Sequence, residues 1–409
     1  MSLKAHSNNR ELTRSDSPMP SIVFVARPFP SDIGPGGKHR TYQIEHDLKV
    51  GFGADCVHTL SLMEWQSRHP GKKEASTKAA QLTRRIVRRI SDCLDNPLGV
   101  LHGTGYGAPT FTPRGLIRDY RTLLERLPRP IITVIDDARF SGIVTIAKQL
   151  NVPVIACTHN LESLDLAAAD THGSWGLRTH LVDLANELEL LQRCDGRMFI
   201  SKVETALVSG LAMEAEHYPY QPVGAIRTRL EAIRQARLQS EPDSSLFLLL
   251  GSAMHGTTRR AFEWFLNQAR RHGLPQGIRL KLAGMDTDKL DLRGTTGIET
   301  LGWVSQSTLD RLLVAARAVV VPQFSGFGAV TRLVELSCAG VPALVPAHPT
   351  RAIDVPPGVH VLGESWSDWH ALLNDLRRGG RQSEWDYQAW EATQPQPLHS
   401  YLSRWILEA

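Results

Sequence analysis

The 409-residue sequence has few cysteines and no long hydrophobic segment. Its five cysteines form no Cys-x-x-Cys pair, which argues against a disulfide framework or a zinc site and favours reduced thiols in a cytoplasmic protein. No apolar run approaches the roughly 20 residues that a membrane-spanning helix requires. The net charge of +4 is too small to indicate nucleic-acid binding.

Strand-like apolar runs alternate with helix-period segments along most of the chain. This alternation predicts an α/β protein with parallel sheets, whose ligands bind at the carboxyl ends of the strands. The runs fall into two series, which predicts two Rossmann-like domains facing each other across a cleft. The first series is 21–26, 54–60, 98–102, 131–135, 153–157 and 196–200; the second is 246–250, 278–283, 298–301, 317–322, 342–345 and 358–362.

Composition divides the chain into successive segments. Residues 1–20 are polar and lack the apolar segment of a signal peptide, so we expect them to be disordered. The first domain is predicted over 21–220 and the second over 245–382, joined by a linker in which prolines bracket a charged helix-forming stretch. The tail, 383–409, is rich in tryptophan and tyrosine and therefore has apolar surface to bury.

The most informative stretch, 319–346, reads as a buried strand, a glycine loop, a helix and a second buried strand. Gly326 and Gly328 let the backbone turn tightly and approach a ligand, since neither carries a Cβ. The helix is predicted to begin near Ala329, so its free N–H groups and positive dipole end point into the loop. This arrangement predicts a phosphate-binding site.

Two charged residues of that helix lie three positions apart, on one face near its first turns. Arg332 supplies a cation beside the helix N-terminus, which suits a diphosphate, and Glu335 supplies a carboxylate that can hold a pair of ribose hydroxyls. The alternative is a solvated ion pair on an exposed helix face. We favour a nucleotide site, because the pair follows a buried strand and a glycine loop.

Several motifs in order resemble the GT-B glycosyltransferases, especially the large retaining group called family 4. Gly326-Phe-Gly, Arg332, Glu335 and the following Ala-Gly-Val-Pro are similar to the donor-binding core of that family. The resemblance covers roughly 20–380 and rests on the ordered set, because a lone glycine loop would be weak. The other similar segments are 22–30, 34–38, 159–163, 246–252, 261–265, 280–284 and 301–304.

The resemblance implies an acceptor domain over 21–220, a donor domain over 245–382, and a tail over 383–409 whose helices cross back onto the first domain. It implies that a hexose-type sugar moves, with retention, from a nucleotide-sugar donor to a hydroxyl of a glycan, a lipid-linked saccharide or a small molecule, as in polysaccharide biosynthesis. Neither a metal nor another cofactor is expected, because a cation and a helix terminus meet the diphosphate charge.

Site residues in the second domain follow from the same resemblance. Arg332 would bind the donor diphosphate and Glu335 the ribose hydroxyls, with Gly326 and Gly328 forming the donor loop. Phe327 stands where many relatives carry a second glutamate, so this loop is the variant without the paired glutamate.

Two further loops of the second domain are assigned to the donor. Gly251 and Ser252 follow a strand and offer N–H and hydroxyl donors to the diphosphate. Trp303 and Val304 lie where the nucleobase is expected, and Trp303 is available for stacking.

In the first domain, a glycine-rich loop at 34–38 precedes a helix predicted to start near His39. The N–H groups of Gly36 and Gly37 would form an anion-binding nest facing the donor or the acceptor. The alternative is a plain flexible turn, since the loop lacks the spacing of a nucleotide-binding fingerprint.

His159 follows the apolar strand residues 154–158 and should therefore lie at the carboxyl edge of the first sheet. The resemblance implies that this histidine approaches the transferred sugar, where it would hydrogen-bond a hydroxyl or the incoming nucleophile. The alternative is a cap or a satisfied polar group.

Two acidic pairs invite a functional interpretation. Asp136 and Asp137 end the strand 131–135; helix capping is the favoured interpretation, and an acid–base pair with raised pKa values is the alternative. Asp286 and Asp288 match the Asp-x-Asp metal motif of the GT-A glycosyltransferase fold, but a surface turn is favoured.

A basic amphipathic segment covers 72–90, with seven lysines and arginines beside a partial apolar face. A solvated outer helix is the favoured interpretation. The alternative is peripheral contact with anionic lipids at the inner membrane face, close to a lipid-linked acceptor.

Two alternatives to a transferase are consistent with the same fold. The first is a non-catalytic GT-B subunit that binds or activates a partner transferase, which Phe327 and the sparse phosphate cations favour. Retention of His159, Arg332 and Glu335 argues against it. The second is a nucleotide-sugar epimerase, whose acid–base set is not evident in the sequence.

Overall fold

The computed structural model describes residues 19–34, 36–69, 112–169, 176–379, 385–395 and 398–407. Most of the segment expected to be disordered, 1–20, lies outside the described residues, as do the basic segment 72–90 and the strand-like run 98–102. The four cysteines within the described ranges are free thiols. None of the helices in these ranges combines the length and the apolar character needed to cross a membrane.

The first half of the chain, through His217, forms a six-stranded parallel sheet of order β2-β1-β3-β4-β5-β6. Three of its strands are buried along their whole length, as expected where helices cover both faces. The strands are β1 (Ser21–Ala26), β2 (Val57–Ser61), β3 (Ile131–Ile135), β4 (Val154–Thr158), β5 (Gly196–Phe199) and β6 (Glu216–His217). The helices are α1 (Gly36–Phe52), α2 (Leu62–Arg68), α3 (Arg114–Arg126), α4 (Ser141–Gln149), α5 (Glu162–Ala169), α6 (Gly176–Arg193) and α7 (Lys202–Gly210).

The second half, from Gly224, forms another six-stranded parallel sheet of order β12-β11-β10-β7-β8-β9. Its strands are β7 (Asp243–Leu250), β8 (Arg279–Ala283), β9 (Ile298–Gly302), β10 (Ala316–Val320), β11 (Ala343–Pro346) and β12 (Val359–Leu362). Its helices, including those of the tail, are α8 (Gly224–Gln239), α9 (Gly256–His272), α10 (Gln306–Ala315), α11 (Thr331–Cys338), α12 (Ala347–Thr350), α13 (Trp366–Arg377), α14 (Tyr387–Glu391) and α15 (Leu398–Leu407). The two sheets confirm the predicted α/β class.

Some strand bounds differ from the predicted ones. Residues 54–56 form a 3-10 turn, so the second strand begins at Val57 and not at 54. The short β6, Glu216–His217, was not predicted, because two residues are too few to show an alternating pattern.

The tail passes from the second half to the first. Trp385 donates its indole N–H to Ser337 O at 3.0 Å, and Tyr387 is buried in the core beneath the second sheet. Further along, Leu398 and Leu402 are fully buried in the core of the first half, which includes Ile44, Leu48 and Phe52 of α1. The last helices therefore bury apolar surface of both halves.

Two buried arginines anchor the linker region. Arg40 of α1 donates to Tyr218 O at 2.7 Å and to Pro219 O at 3.2 Å, and its guanidinium lies 4.0 Å from the centre of the Tyr218 ring. Arg237 of α8 donates to four main-chain carbonyls of the second half, those of Leu313, Val314, Ala316 and Gly340. Because each arginine donates to main-chain carbonyls outside its own helix, Arg40 holds the end of the first half against α1, and Arg237 holds α8 against the second half.

Candidate functional site

The first turns of α1 and α11 lie against each other between the two sheets. A Cβ on Gly36 would stand 2.2 Å from Thr331 Oγ1, so only glycine fits there in this arrangement. Both helices therefore bring their N-terminal N–H groups and positive dipole ends to a common cleft. Both starts differ from the predicted ones: α1 begins at Gly36 and not near His39, and α11 begins at Thr331 and not near Ala329.

The earlier start of α1 changes the role of its glycines. Gly36 and Gly37 are the first residues of the helix and do not form a separate loop nest before it. Their N–H groups are thus among the unpaired donors that every helix leaves in its first turn.

Arg332 lies at the junction of β7 and α11. Its Nη1 donates to Leu250 O at the carboxyl end of β7, and a Cβ on Gly251 would lie 3.4 Å from the same nitrogen. Burial lowers the pKa of Arg332, while the nearby Glu335 carboxylate opposes that shift. The guanidinium thus provides a partly buried positive charge beside a helix N-terminus, where an anion is stabilised most.

Glu335 connects the two halves of the chain. His39 Nδ1 donates to Glu335 Oε1 at 2.7 Å, and the Tyr220 hydroxyl donates to the same oxygen at 2.8 Å. Burial alone would raise the pKa of Glu335, but His39 and these hydrogen bonds hold it below its usual value. Among the described residues, Oε2 receives no hydrogen bond, so one carboxylate oxygen is left for a ligand.

His159 follows β4 at the cleft edge, with 21% of its side chain exposed. Its Nε2 lies 3.0 Å from Thr41 Oγ1 and 3.3 Å from Asp136 Oδ2, and Thr41 donates to that carboxylate at 2.8 Å. The buried Asp136 favours a proton on Nε2, which leaves Nδ1 as an acceptor. A Cβ on Gly37 would lie 3.5 Å from Nδ1, so the free nitrogen is directed at the start of α1.

The capping interpretation of Asp136 and Asp137 is wrong. The next helix begins only at Ser141, and Phe140 precedes it without a side-chain cap. Asp136 faces His159, whereas Asp137 accepts from Arg139 Nε at 2.7 Å. Burial, followed by nearby carboxylates, raises the pKa of Asp137 well above its usual range.

The N–H groups of the glycine loop are paired with a carboxylate from the first half. Phe327 N donates to Asp165 Oδ1 at 2.9 Å, and Gly328 N lies 3.4 Å from the same oxygen. Two other side chains hold the loop carbonyls, Ser201 at Phe327 O and His348 at Gly326 O. Asp165 was not predicted from the sequence, because 162 positions separate it from the loop.

Arg260 is a second residue that the sequence did not assign to the site. It projects from α9 and donates to Ala168 O of α5, and its Nη2 lies 3.3 Å from Ser325 Oγ, next to the glycine loop. A second cation therefore stands at the same edge of the cleft as Arg332. Its position in the first turns of a helix could have suggested a role at the site, but no local sequence pattern indicated its contacts with Ala168 and Ser325.

The remaining donor residues lie on loops after β7 and β9. Ser252 Oγ accepts from Met254 N at 3.3 Å, which shapes the turn after Gly251. Trp303 is 72% exposed and follows the end of β9 directly, while Val304 is partly buried against the core of the second half. An exposed indole at a strand end offers a flat apolar face for stacking.

The Asp-x-Asp pair lies in a surface turn. Asp286 has a positive φ of 60° and pairs with Lys289 at 2.8 Å, and Asp288 belongs to a short 3-10 helix. Across the described part of the chain, no three His, Cys, Asp or Glu side chains are grouped as metal ligands.

Comparisons with known proteins identify the architecture. No protein-family model and no curated protein sequence matches the chain. Among solved structures, sucrose-phosphate synthase from Thermosynechococcus elongatus is 14% identical with a TM-score of 0.56, covering 95% of this chain and 99% of that one. HepE from Anabaena, in complex with UDP-glucose, is 11% identical with a TM-score of 0.56, covering 95% and 98%.

WaaG, a glycosyltransferase involved in lipopolysaccharide biosynthesis, is 14% identical with a TM-score of 0.52, covering 94% of this chain and 99% of that one. At such low identity the likeness concerns the fold. The two parallel sheets, the cleft at their carboxyl edges and these neighbours agree: the chain has the GT-B fold of glycosyltransferases.

Proposed function

We propose that the protein transfers a hexose-type sugar, with retention, from a nucleotide-sugar donor to an acceptor hydroxyl. The observation that carries the proposal is the place of Arg332: at the N-terminus of α11, beside the end of β7, and opposite the first turn of α1. A partly buried cation at a helix N-terminus is the arrangement that stabilises a diphosphate leaving group. The neighbour HepE, crystallised with UDP-glucose, supports a donor of this class.

The chemistry is that of leaving-group departure. As the bond to the sugar breaks, negative charge grows on the diphosphate and is met by Arg332 and by the α11 dipole. Glu335 Oε2 would accept hydrogen bonds from the ribose, and Trp303 would stack on the base. Closure of the two halves would exclude water, which otherwise hydrolyses the donor.

On the acceptor side, His159 would contact the sugar or the incoming hydroxyl through Nδ1. The Asp136 carboxylate and the Thr41 hydroxyl orient the imidazole from behind. Such an oriented histidine favours an active enzyme over a non-catalytic subunit, since a subunit that only binds a partner has no need of it.

A thermal-shift screen tests the proposal. The screen contains UDP, ADP and GDP, each with a matching nucleotide sugar. We expect at least one of these pairs to raise the melting temperature, because a ligand that binds the native state stabilises it. Release of free sugar from that donor should then be detectable by chromatography. If none of the nucleotides raises the melting temperature or binds by calorimetry, the proposal is wrong. Binding without hydrolysis or transfer, on a panel of acceptors, would instead support the non-catalytic subunit.

A further inference from the structure

The carboxylate of Asp165 closes a hydrogen-bond chain between the two halves of the chain. Its Oδ1 accepts from the N–H groups of Phe327 and Gly328, and its Oδ2 accepts from Asn160 Nδ2. Asn160 is adjacent to the loop as well, since its Cβ lies 3.3 Å from where a Cβ on Gly328 would stand. A carboxylate, an amide and two main-chain donors therefore converge at one point of the cleft.

These groups form the combination that sugar hydroxyls require. A hydroxyl donates one hydrogen bond and accepts others, so a subsite for it needs an acceptor and a donor side by side. Loop N–H groups can donate, but the loop itself carries Phe327 and no acidic side chain. The acceptor at this point comes from α5 of the first half.

Asp165 contacts two segments that the proposed function places around the donor, the glycine loop and the residue after His159. Asn160 directly follows His159, and the loop precedes α11, which carries Arg332. Arg260 reaches the same edge from α9, where it contacts Ala168 O and Ser325. A sugar attached to a diphosphate at Arg332, and approached by His159, would lie against this group of residues.

We propose that Asp165, supported by Asn160, recognises hydroxyl groups of the donor sugar and so sets sugar specificity. The inference rests on the proposed function. In this role, Asp165 gives up part of its hydrogen bonding with the loop N–H groups when the sugar binds. A sugar hydroxyl then donates to the Asp165 carboxylate and accepts from a loop N–H group, so it bridges the two. Sugar specificity then depends on closure, because its acceptor and its donors lie on different halves.

The test compares Asp165→Asn with the wild type on paired probes: UDP and UDP-glucose, ADP and ADP-glucose, GDP and GDP-mannose. Affinities are measured by calorimetry for the pair that the wild type binds. We expect the nucleoside diphosphate Kd to change less than about twofold and the nucleotide-sugar Kd to rise about 10- to 100-fold, the effect of losing a charged acceptor. Asp291→Asn is the matched control, because Asp291 is exposed and pairs with Arg293 on the surface.

Donor analogues that lack one sugar hydroxyl distinguish recognition of the sugar by Asp165 from a purely structural role of this residue. The wild type should bind the 3-deoxy or the 4-deoxy analogue of its donor more weakly than the donor itself. In Asp165→Asn, removing the hydroxyl that Asp165 contacts should reduce the affinity less than it does in the wild type. This comparison is a double-mutant cycle between the side chain and the hydroxyl. Asn160→Ala should act in the same direction more weakly, and it gives the answer if Asp165→Asn does not fold.

The outcomes distinguish this inference from the proposed function. If Asp165→Asn weakens the binding of the nucleoside diphosphate and of the nucleotide sugar equally, Asp165 only holds the two halves together, and the inference is wrong. The inference is also wrong if the variant binds both ligands with wild-type affinity, or if the deoxy donors lose as much affinity in the variant as in the wild type. If the wild type binds none of the six probes, the proposed function itself fails.

Discussion

Replacing Arg332 by alanine should weaken nucleoside-diphosphate binding and leave the fold intact. Among the residues that the structure describes, its guanidinium donates one hydrogen bond, to Leu250 O, and it lies partly buried at the start of α11. Burial lowers its pKa, which means that the charge is incompletely solvated and gains from an anionic partner. Alanine removes that gain, whereas lysine keeps the charge without the planar donor pair.

The size of the effect follows from the geometry. A hydrogen bond to a charged group is worth about 1.5–3 kcal/mol, and the diphosphate keeps its other partners at the helix terminus. We therefore expect a Kd increase of about 10- to 100-fold for Arg332→Ala. For Arg332→Lys we expect a smaller increase.

Calorimetric titration with UDP, ADP and GDP measures this directly. Arg293→Ala serves as the control, because Arg293 is 91% exposed and pairs with Asp291 in the same surface turn. Thermal unfolding of each variant establishes that it is folded. Wild-type affinity in a folded Arg332→Ala protein would refute the diphosphate role and, with it, the main support for the proposed function.

Three further predictions concern turnover, metal ions and pH. His159→Ala should lower kcat while diphosphate affinity stays nearly unchanged, because its contact matters near the transition state; a parallel loss of affinity would contradict this. Activity should persist in EDTA, since a cation and a helix terminus serve the diphosphate; loss in EDTA with recovery in manganese would revive the Asp286–Asp288 interpretation. Burial raises the pKa of Glu187 from 4.5 to about 7, so the folded state holds a proton that the unfolded chain has lost, and stability falls as pH rises between these values. Glu187→Gln should therefore stabilise the protein at pH 8 by up to about 3 kcal/mol and hardly at pH 4; urea unfolding at both pH values should show this difference, and an equal effect at both would disprove it.

The sequence predicted the features that depend on local pattern. The alternation of apolar runs gave two parallel sheets, and the loop between β10 and α11 was recognisable because glycines, a helix and a charged pair follow one another. Both helix starts were misplaced by two or three residues, since glycine and small residues neither require nor exclude a first helical turn. The capping interpretation of Asp136 failed because the chain makes a further turn before its helix begins.

What the sequence could not give is the identity of partners across the cleft. His39 and Glu335 lie 296 positions apart, and Asp165 and Phe327 lie 162 apart. Such pairs depend on how two separately folded sheets meet, and no periodicity within either half contains that information. The chemistry of Arg332 was therefore foreseeable, whereas the carboxylate that faces the glycine loop was not.

Arg40 of α1 and Arg237 of α8 limit where the main chain between the two halves can bend. Arg40 holds the chain to α1 as far as Pro219, and Arg237 holds α8 to the second sheet. Rotation of one half relative to the other must therefore be absorbed by main-chain torsions between these anchors and by the tail where it crosses back to the first half. Gly224, with a φ of 50°, is the residue there whose backbone can change most freely. A change in its torsions would turn the second half relative to the first and so alter the separation between Asp165 and the glycine loop.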